Sequence, residues 1–377
     1  MSKATVFHPR LAAMTDEWTD LFGYLAPSVV SGSAAEWRVC REAAALMDFS
    51  MLRKLEIEGP GALGFVNGVV TRDVASLATG GIAYGALTNE DGKMIDDCTV
   101  LCRTPDRLRF CGANDRDFHV FSELAPPGIT VREVTDALPH LCLQGPASRA
   151  ILQELASSDI SNASLPYYSF REDVRIAGIP VVLTRLGYTA ELGFELWVEE
   201  ARALELWDAL MAAGTPHGMA VIGKVALDLF RIEGGFIIGG VEYDETVSPY
   251  ECGLGWSVNL EKGPFPGREG CLRDREATSL RLTSVVLEGG GEAASGAPLL
   301  IDGVEVGFVT QAIESPYLDG QTLALAKLPR ELNVPGSRVV ARIPTGDVGG
   351  TVVQHPVYDR ERRRAKELAP VTAGERA

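Results

Sequence analysis

The chain lacks most of the signatures that announce a mechanism. Its seven cysteines (Cys40, Cys98, Cys102, Cys111, Cys142, Cys252 and Cys271) are odd in number, widely scattered and free of any CxxC pair. That usage fits buried free thiols in a reducing compartment better than a disulfide framework. Its five histidines show no HxH, HxxxH or HExxH spacing, so no metal site is expected. No GxGxxG follows a strand and opens a helix, and a P-loop is missing, which leaves a dinucleotide or nucleotide-triphosphate fold without support. No apolar run reaches the length of a membrane span. The opening MSKATVFHPRLAAMTDEWTD lacks the basic-then-apolar order of a secretory signal, so a cytoplasmic protein is expected. Basic charge is scarce as well. The formal net charge of −16 argues against nucleic acid, because neutralising phosphates needs a basic surface. The one basic run, DRERRRAKEL from Asp359 to Leu368, is interleaved with acids and reads as a solvated helical tail.

What remains is a globular composition, 46% hydrophobic and 23% charged, on 377 residues, which is too long for one simple core and implies two or three domains. SAAEWRVCREAAALMDFS places Trp37, Cys40, Ala44 and Met47 at helical spacings. GALGFVNGVVT, SRAILQELASS and ARALELWDALMAAG read as helices, while DRLRFCGA and HLCLQG read as strands. Helices mixed with antiparallel hairpins such as VRIAGIPVVLTRLGYT indicate an α+β class. After Ser279 the pattern changes to short Val/Leu/Ile-rich runs separated by turns, the mark of a small all-β barrel or sandwich. The expected division is 1–279, 280–360 and a charged tail 361–377.

Carboxylates and aromatics must therefore carry the chemistry. In AYGALTNEDGKMIDDCTV a strand enters a turn and a second leaves it, with Asp96 and Asp97 on opposite sides. A carboxylate forced inward is costly unless paired, so one of the two is a candidate for catalysis or ligand binding, with a structural turn as the competing reading. GYTAELGFELWV places Tyr188, Glu191 and Glu195 together, either as a solvated hairpin or as the wall of a site for a flat polar ligand, with Glu191 read as a solvated turn residue. KVALDLFRIEGGFIIGGVEYDETVSP reads as a helix ending at Gly234–Gly235, followed by a glycine-rich irregular run. In YECGLGWSVNLEKGPFPGREG, Trp256 is expected on a strand.

GYTAELGFEL, FRIEGG, SPYECGLGWSVNLEKGPFPGREG and TNEDGKMIDD resemble successive signatures of the glycine-cleavage T-protein (aminomethyltransferase) superfamily, in the family's order. LPYYSFRE, CLQGP and DGVEVGFVTQAIESPYLDGQTLALA extend the likeness from about Trp37 to Tyr358. The resemblance implies a tetrahydrofolate-dependent one-carbon transferase, with subdomains around a central folate-binding opening and a small C-terminal β-barrel. By that resemblance Glu195 matches the glutamate that holds the pterin, whose 2-amino and N3–H donors a carboxylate can accept side by side. Tyr84 and Tyr188 match aromatics lining the folate pocket, and Phe236 stands where the family usually has a tyrosine. Asp97 matches the catalytic carboxylate, placed to accept a proton near folate N5. A cross-strand ion pair for Glu195 and a turn brace for Asp97 are the alternatives.

The chain also departs from the family. SMLRKLE replaces the usual SHMGE, which places Met51, Leu52 and Arg53 at the mouth of the matching pocket as candidate substrate contacts. Ala190 replaces a glycine, Leu227 an arginine that serves folate, and Gly112 an asparagine, for which Asn114 is a substitute by a small shift. The rewritten N-terminal segment points to loss of the surface for a lipoyl carrier protein. The expected activity is methyl transfer from a small O-, N- or S-methylated molecule to tetrahydrofolate. The alternatives are the aminomethyltransferase of glycine cleavage, which would need the lipoyl carrier as partner, and a folate-binding accessory protein without transferase activity.

Overall fold

A computed structural model describes residues 2–368. The last nine residues of the expected charged tail, 369–377, lie outside the described residues. Chain segments sort into two compact units, one built from 2–51, 135–234 and 359–368, the other from 52–134 and 235–358.

The first unit is organised on a six-stranded sheet. Its neighbours in order are Phe170–Ile176, Ile179–Thr184, Gly193–Trp197, His140–Gln144, Ala45–Asp48 and Ala220–Val221. All pairs are antiparallel except the last. Every residue of His140–Gln144 and Gly193–Trp197 is buried, as expected of strands covered on both faces. Leu141, Leu143, Phe194 and Leu196 enter the core with Trp207 of the helix Ala203–Gly214. The intervening Cys142 and Glu195 are opposite one another on the other face. The N-terminal helix is shorter than its periodicity suggests. It runs only from Ser33 to Glu42, and Ala45–Asp48 is a strand. Pairing of Leu46 with Leu143 and Met47 with Cys142 overrides the three- and four-residue spacing.

In the second unit a five-stranded antiparallel sheet runs Ile82–Thr88, Met94–Thr104, Arg107–Gly112, Arg53–Glu58, Thr130–Glu133. Leu55, Ile57, Cys98, Val100, Leu108 and Phe110 form its buried face, packed with Phe121 of the helix Asp117–Leu124. The all-β segment is a closed six-stranded barrel from Leu280 to Val353, filled by Val285, Leu299, Val309, Ala326, Leu328 and Val352. The fold class is therefore α+β, with a small barrel as the C-terminal module. No helix among the described residues is long and apolar enough to cross a membrane.

DRERRRAKEL is not a helical tail. Its described part is irregular, with the Asp359 carboxylate accepting the backbone N–H groups of Arg363 and Arg364 (2.9 Å each). Ala365 is buried, and Arg149 and Arg185 of the first unit both engage Glu367. Of the acids that suggested solvation, Glu367 is a partner for the buried Arg185 and Asp359 braces the backbone, while Glu361 is exposed.

Candidate active site

Asp97 is held in the second unit by two phenols. Its strand Met94–Thr104 pairs with Ile82–Thr88, matching Ala86 to Asp97 and Tyr84 to Thr99. Side-chain alternation places Tyr84 and Asp97 on the same face, and the Tyr84 hydroxyl donates to Asp97 Oδ2 at 2.6 Å. The Tyr243 hydroxyl reaches Asp97 Oδ1 at 2.6 Å and accepts the Asp97 backbone N–H at 3.1 Å. Burial, and then the charge of Asp96, push the Asp97 carboxyl up to about 6, against the lowering effect of the two phenol hydrogen bonds. Asp97 is half-buried, while Asp96 is 2% exposed and faces inward with Cys98 and Val100.

Two further residues complete this group. Tyr243 arrives on the glycine-rich run after Gly235, and a Cβ on Gly239 would lie 3.2 Å from its hydroxyl, a tight contact that glycine avoids. Trp256 lies on a single 3-10 turn, Gly255–Ser257, and not on a strand, because the glycine-rich turn continues through it. It is 60% exposed and stacks on Tyr84 with centroids 5.9 Å apart and planes 16° apart. The Arg72 guanidinium lies 5.6 Å from the Trp256 ring and donates to its carbonyl at 3.3 Å. An exposed flat aromatic beside a half-buried carboxylate suits a flat heteroaromatic with a titrating nitrogen.

In the first unit Glu195 is 6% exposed, and its Oε2 accepts Trp197 Nε1 at 3.2 Å and Thr184 Oγ1 at 3.4 Å. Tyr188 is half-buried on the loop before this strand. That loop is fixed at its next residues: the Thr189 carbonyl accepts Arg41 at 2.7 Å, and the Thr189 hydroxyl donates to Gln144 at 3.0 Å. Ala190 adopts φ 62°, a left-handed conformation that glycine would occupy without penalty. Glu191 is not a solvated turn residue. It is 3% exposed and paired with Arg41 at 3.1 Å and Arg364 at 3.5 Å, so two cations offset its desolvation.

The remaining sequence candidates are dispersed. Met51 is buried at the end of a first-unit segment, whereas Leu52 and Arg53 begin the second unit, with Arg53 paired to Asp115. Phe236 is half-buried in the second unit. Leu227 is buried beside Asp228, whose carboxylate is taken by Lys224 and, at 2.9 Å, by Arg231. The Asn114 side chain donates to the Ile95 carbonyl at 2.9 Å.

Residues 7–262 match the GCVT N-terminal domain, and residues 281–359 match the glycine cleavage T-protein C-terminal barrel domain. The chain belongs to the glycine-cleavage T-protein family, whose members are folate-dependent transferases that use tetrahydrofolate as cosubstrate. It is an enzyme of that family. It is 32% identical to an aminomethyltransferase of Halothermothrix orenii, over 94% of this chain and 99% of that protein. It is also 32% identical to a trimethylamine-oxide aldolase of Ruegeria pomeroyi over 97% of this chain, and spans only 48% of that relative's length. The fold is shared with the glycine cleavage system aminomethyltransferase T of Bartonella henselae, at a TM-score of 0.86 and 23% identity over 96% of this chain and 99% of that one.

Proposed function

We propose that this chain moves a methyl group from a small O-, N- or S-methylated molecule to tetrahydrofolate, with Asp97 as the proton-handling residue. The observation that carries this reading is a carboxyl at about 6 between two phenols, beside an exposed tryptophan. Near neutral pH such a group is mostly ionised yet basic enough to take a proton, as general-base work requires. Tetrahydrofolate supplies the nitrogen that receives the one-carbon unit. Tyr84 and Tyr243 orient Asp97, and Trp256 offers a stacking face to the cosubstrate. Glu195 is the proposed acceptor for the pterin donors, and Tyr188 and Phe236 are proposed as further aromatic contacts to the cosubstrate. Met51, Leu52 and Arg53 are the residues proposed to face the methyl donor. The trimethylamine-oxide aldolase among its relatives carries, in its name, a small N-methylated compound. That supports a donor of this class.

Incubating the protein with tetrahydrofolate and a panel of methylated small molecules should give 5-methyltetrahydrofolate with at least one of them. Asp97→Asn should cut that turnover by roughly 100- to 10,000-fold while tetrahydrofolate still binds. Unchanged turnover would move the proton-handling role elsewhere. Full-length likeness to aminomethyltransferases favours the second reading, transfer of an aminomethyl-derived carbon. Product formed only from an aminomethyl-lipoyl carrier, as methylene-tetrahydrofolate with ammonia, would establish it and sink the first.

A further inference from the structure

Behind Asp97 lies a second carboxylate layer that the reaction as proposed does not use. Asp96 Oδ2 accepts the backbone N–H groups of Ala113 and Asn114, the latter at 3.0 Å. Its Oδ1 accepts the Tyr243 hydroxyl at 2.9 Å. Asp117 opens the helix Asp117–Leu124 and is fully buried. Among the described residues no donor meets hydrogen-bonding geometry at either of its oxygens. The adjacent Asn114 amide is already given to Asp96. A Cβ on Gly112 would lie 2.4 Å from Asp117 Oδ2 and 2.4 Å from Asp96 Oδ2, so the two carboxyl oxygens flank one glycine.

Two carboxylates this close cannot both be ionised away from water. No ion pair involves Asp96, Asp97 or Asp117 among the described residues. The other titratable groups around them are Tyr84, Tyr243, and the thiols of Cys98 and Cys111. Nearby cations are engaged elsewhere: Arg116 pairs with Glu245, and the buried Lys54 ammonium donates to the Leu52 carbonyl at 2.8 Å. Asp96 has two backbone donors of its own and shares the Tyr243 proton with Asp97, whereas Asp117 has no donor among the described residues, which decides where the proton sits. Burial, followed by the charge of Asp96, pushes the Asp117 carboxyl well above the usual carboxylate range, in the same sense.

We propose that Asp117 is a positioning residue that stays protonated at neutral pH, donates its proton to Asp96, and so keeps Asp96 the charged neighbour of Asp97. The link to Asp97 is the single Tyr243 hydroxyl, which is within reach of Asp96 Oδ1 and, at 2.6 Å, of Asp97 Oδ1. While Asp97 is ionised the phenol proton belongs to it. When Asp97 gains a proton, it donates to the Tyr243 oxygen and the phenol proton turns to Asp96; no bond between heavy atoms changes. The negative charge on Asp96 makes Asp97 a stronger base than an isolated carboxylate, and Asp117 maintains that charge.

Infrared difference spectroscopy tests the proton directly. The intact protein at pH 8 should show the carbonyl stretch of a buried protonated carboxyl, and Asp117→Asn should lose it. A band of undiminished intensity in Asp117→Asn would overturn the assignment. The effect on Asp97 rests on the proposed methyl transfer and is read from the acid limb of turnover against pH. Asp117→Leu, which has no donor, lets Asp96 take a proton, and should lower that limb by about one unit. Asp117→Asn, which retains a donor, should restore it. An unmoved limb in folded Asp117→Leu would overturn the coupling to Asp97. Should the leucine variant fail to fold, Asp96→Asn removes the same charge and must lower the limb likewise. Absence of methyl transfer with loss of the infrared band would sink the function and leave the proton assignment standing.

Discussion

Two clusters of buried carboxylates, one in each unit, are satisfied in opposite ways. In the first, Glu191 and Glu233 share Arg41 at 3.1 and 2.7 Å, and Trp37 Nε1 donates to both Glu233 oxygens at 3.1 and 2.9 Å. The guanidinium lies 4.9 Å from the Phe230 ring and 5.8 Å from the Trp37 ring. In the second, Asp96, Asp97 and Asp117 face phenols, amides and one another, without an ion pair among the described residues. A buried acid matched to an arginine keeps its charge and fixes backbone, here the loop that carries Tyr188. A buried acid surrounded by hydroxyls can change protonation state within the working pH range, which is what proton transfer requires.

The sharpest way to break the contrast is to remove the cation. Arg41→Met should leave Glu191 and Glu233 without their shared partner and cost about 3–5 kcal/mol of stability in urea unfolding. It should also increase proteolytic cleavage in the loop that follows Tyr188. In the other unit the expected sign is reversed. Because the folded state raises the Asp97 carboxyl from 3.8 to about 6, the folded protein holds that proton more tightly than the unfolded chain. Its ionisation therefore works against the fold above about pH 6, and the cost vanishes as pH falls through 3.8. Asp97→Asn should be more stable than the parent at pH 8 by up to about 3 kcal/mol and equal to it near pH 3, again by urea unfolding. A variant less stable at pH 8 would mean that the phenol hydrogen bonds outweigh desolvation. The smallest effect expected is that of Gly112→Ala. Its methyl would press on both Asp117 and Asp96, and should lower the melting temperature through a loss of about 2 kcal/mol.

Local pattern made part of this legible in the sequence. Alternation identified the strands, and turn spacing marked the all-β module after Ser279, barrel or sandwich. The same alternation separates Asp96 from Asp97 across their strand. Ala44 and Met47 misled because a four-residue strand is too short to display its period against helical neighbours. Met47 joins the sheet through His140–Gln144, far along the chain, and Ala44 lies just before the strand. Glu191 was misread for a similar reason: its partner Arg41 is 150 residues away, and nothing near Glu191 signals a cation. Tyr243 and Asp117 carry no motif linking them to Asp96. Only the glycines hinted at them: a side chain at Gly112 would collide with Asp117, and one at Gly239 would crowd Tyr243.

The first unit is drawn from three stretches of chain, and that arrangement sets a clock on its assembly. The Arg185 guanidinium, fully buried when the unit is complete, donates to the Ala365 carbonyl at 2.7 Å, a partner 180 residues further along. At about 5–20 residues per second the ribosome needs roughly 10–40 s to make that interval. From Val221 onward the sheet containing Glu195 has all its strands but not the segment that covers Arg185. Meanwhile residues 52–134, inserted between two pieces of the first unit, already contain every strand of the five-stranded sheet carrying Asp97. The unit that carries Asp97 can thus begin to fold before the unit that carries Glu195 can close.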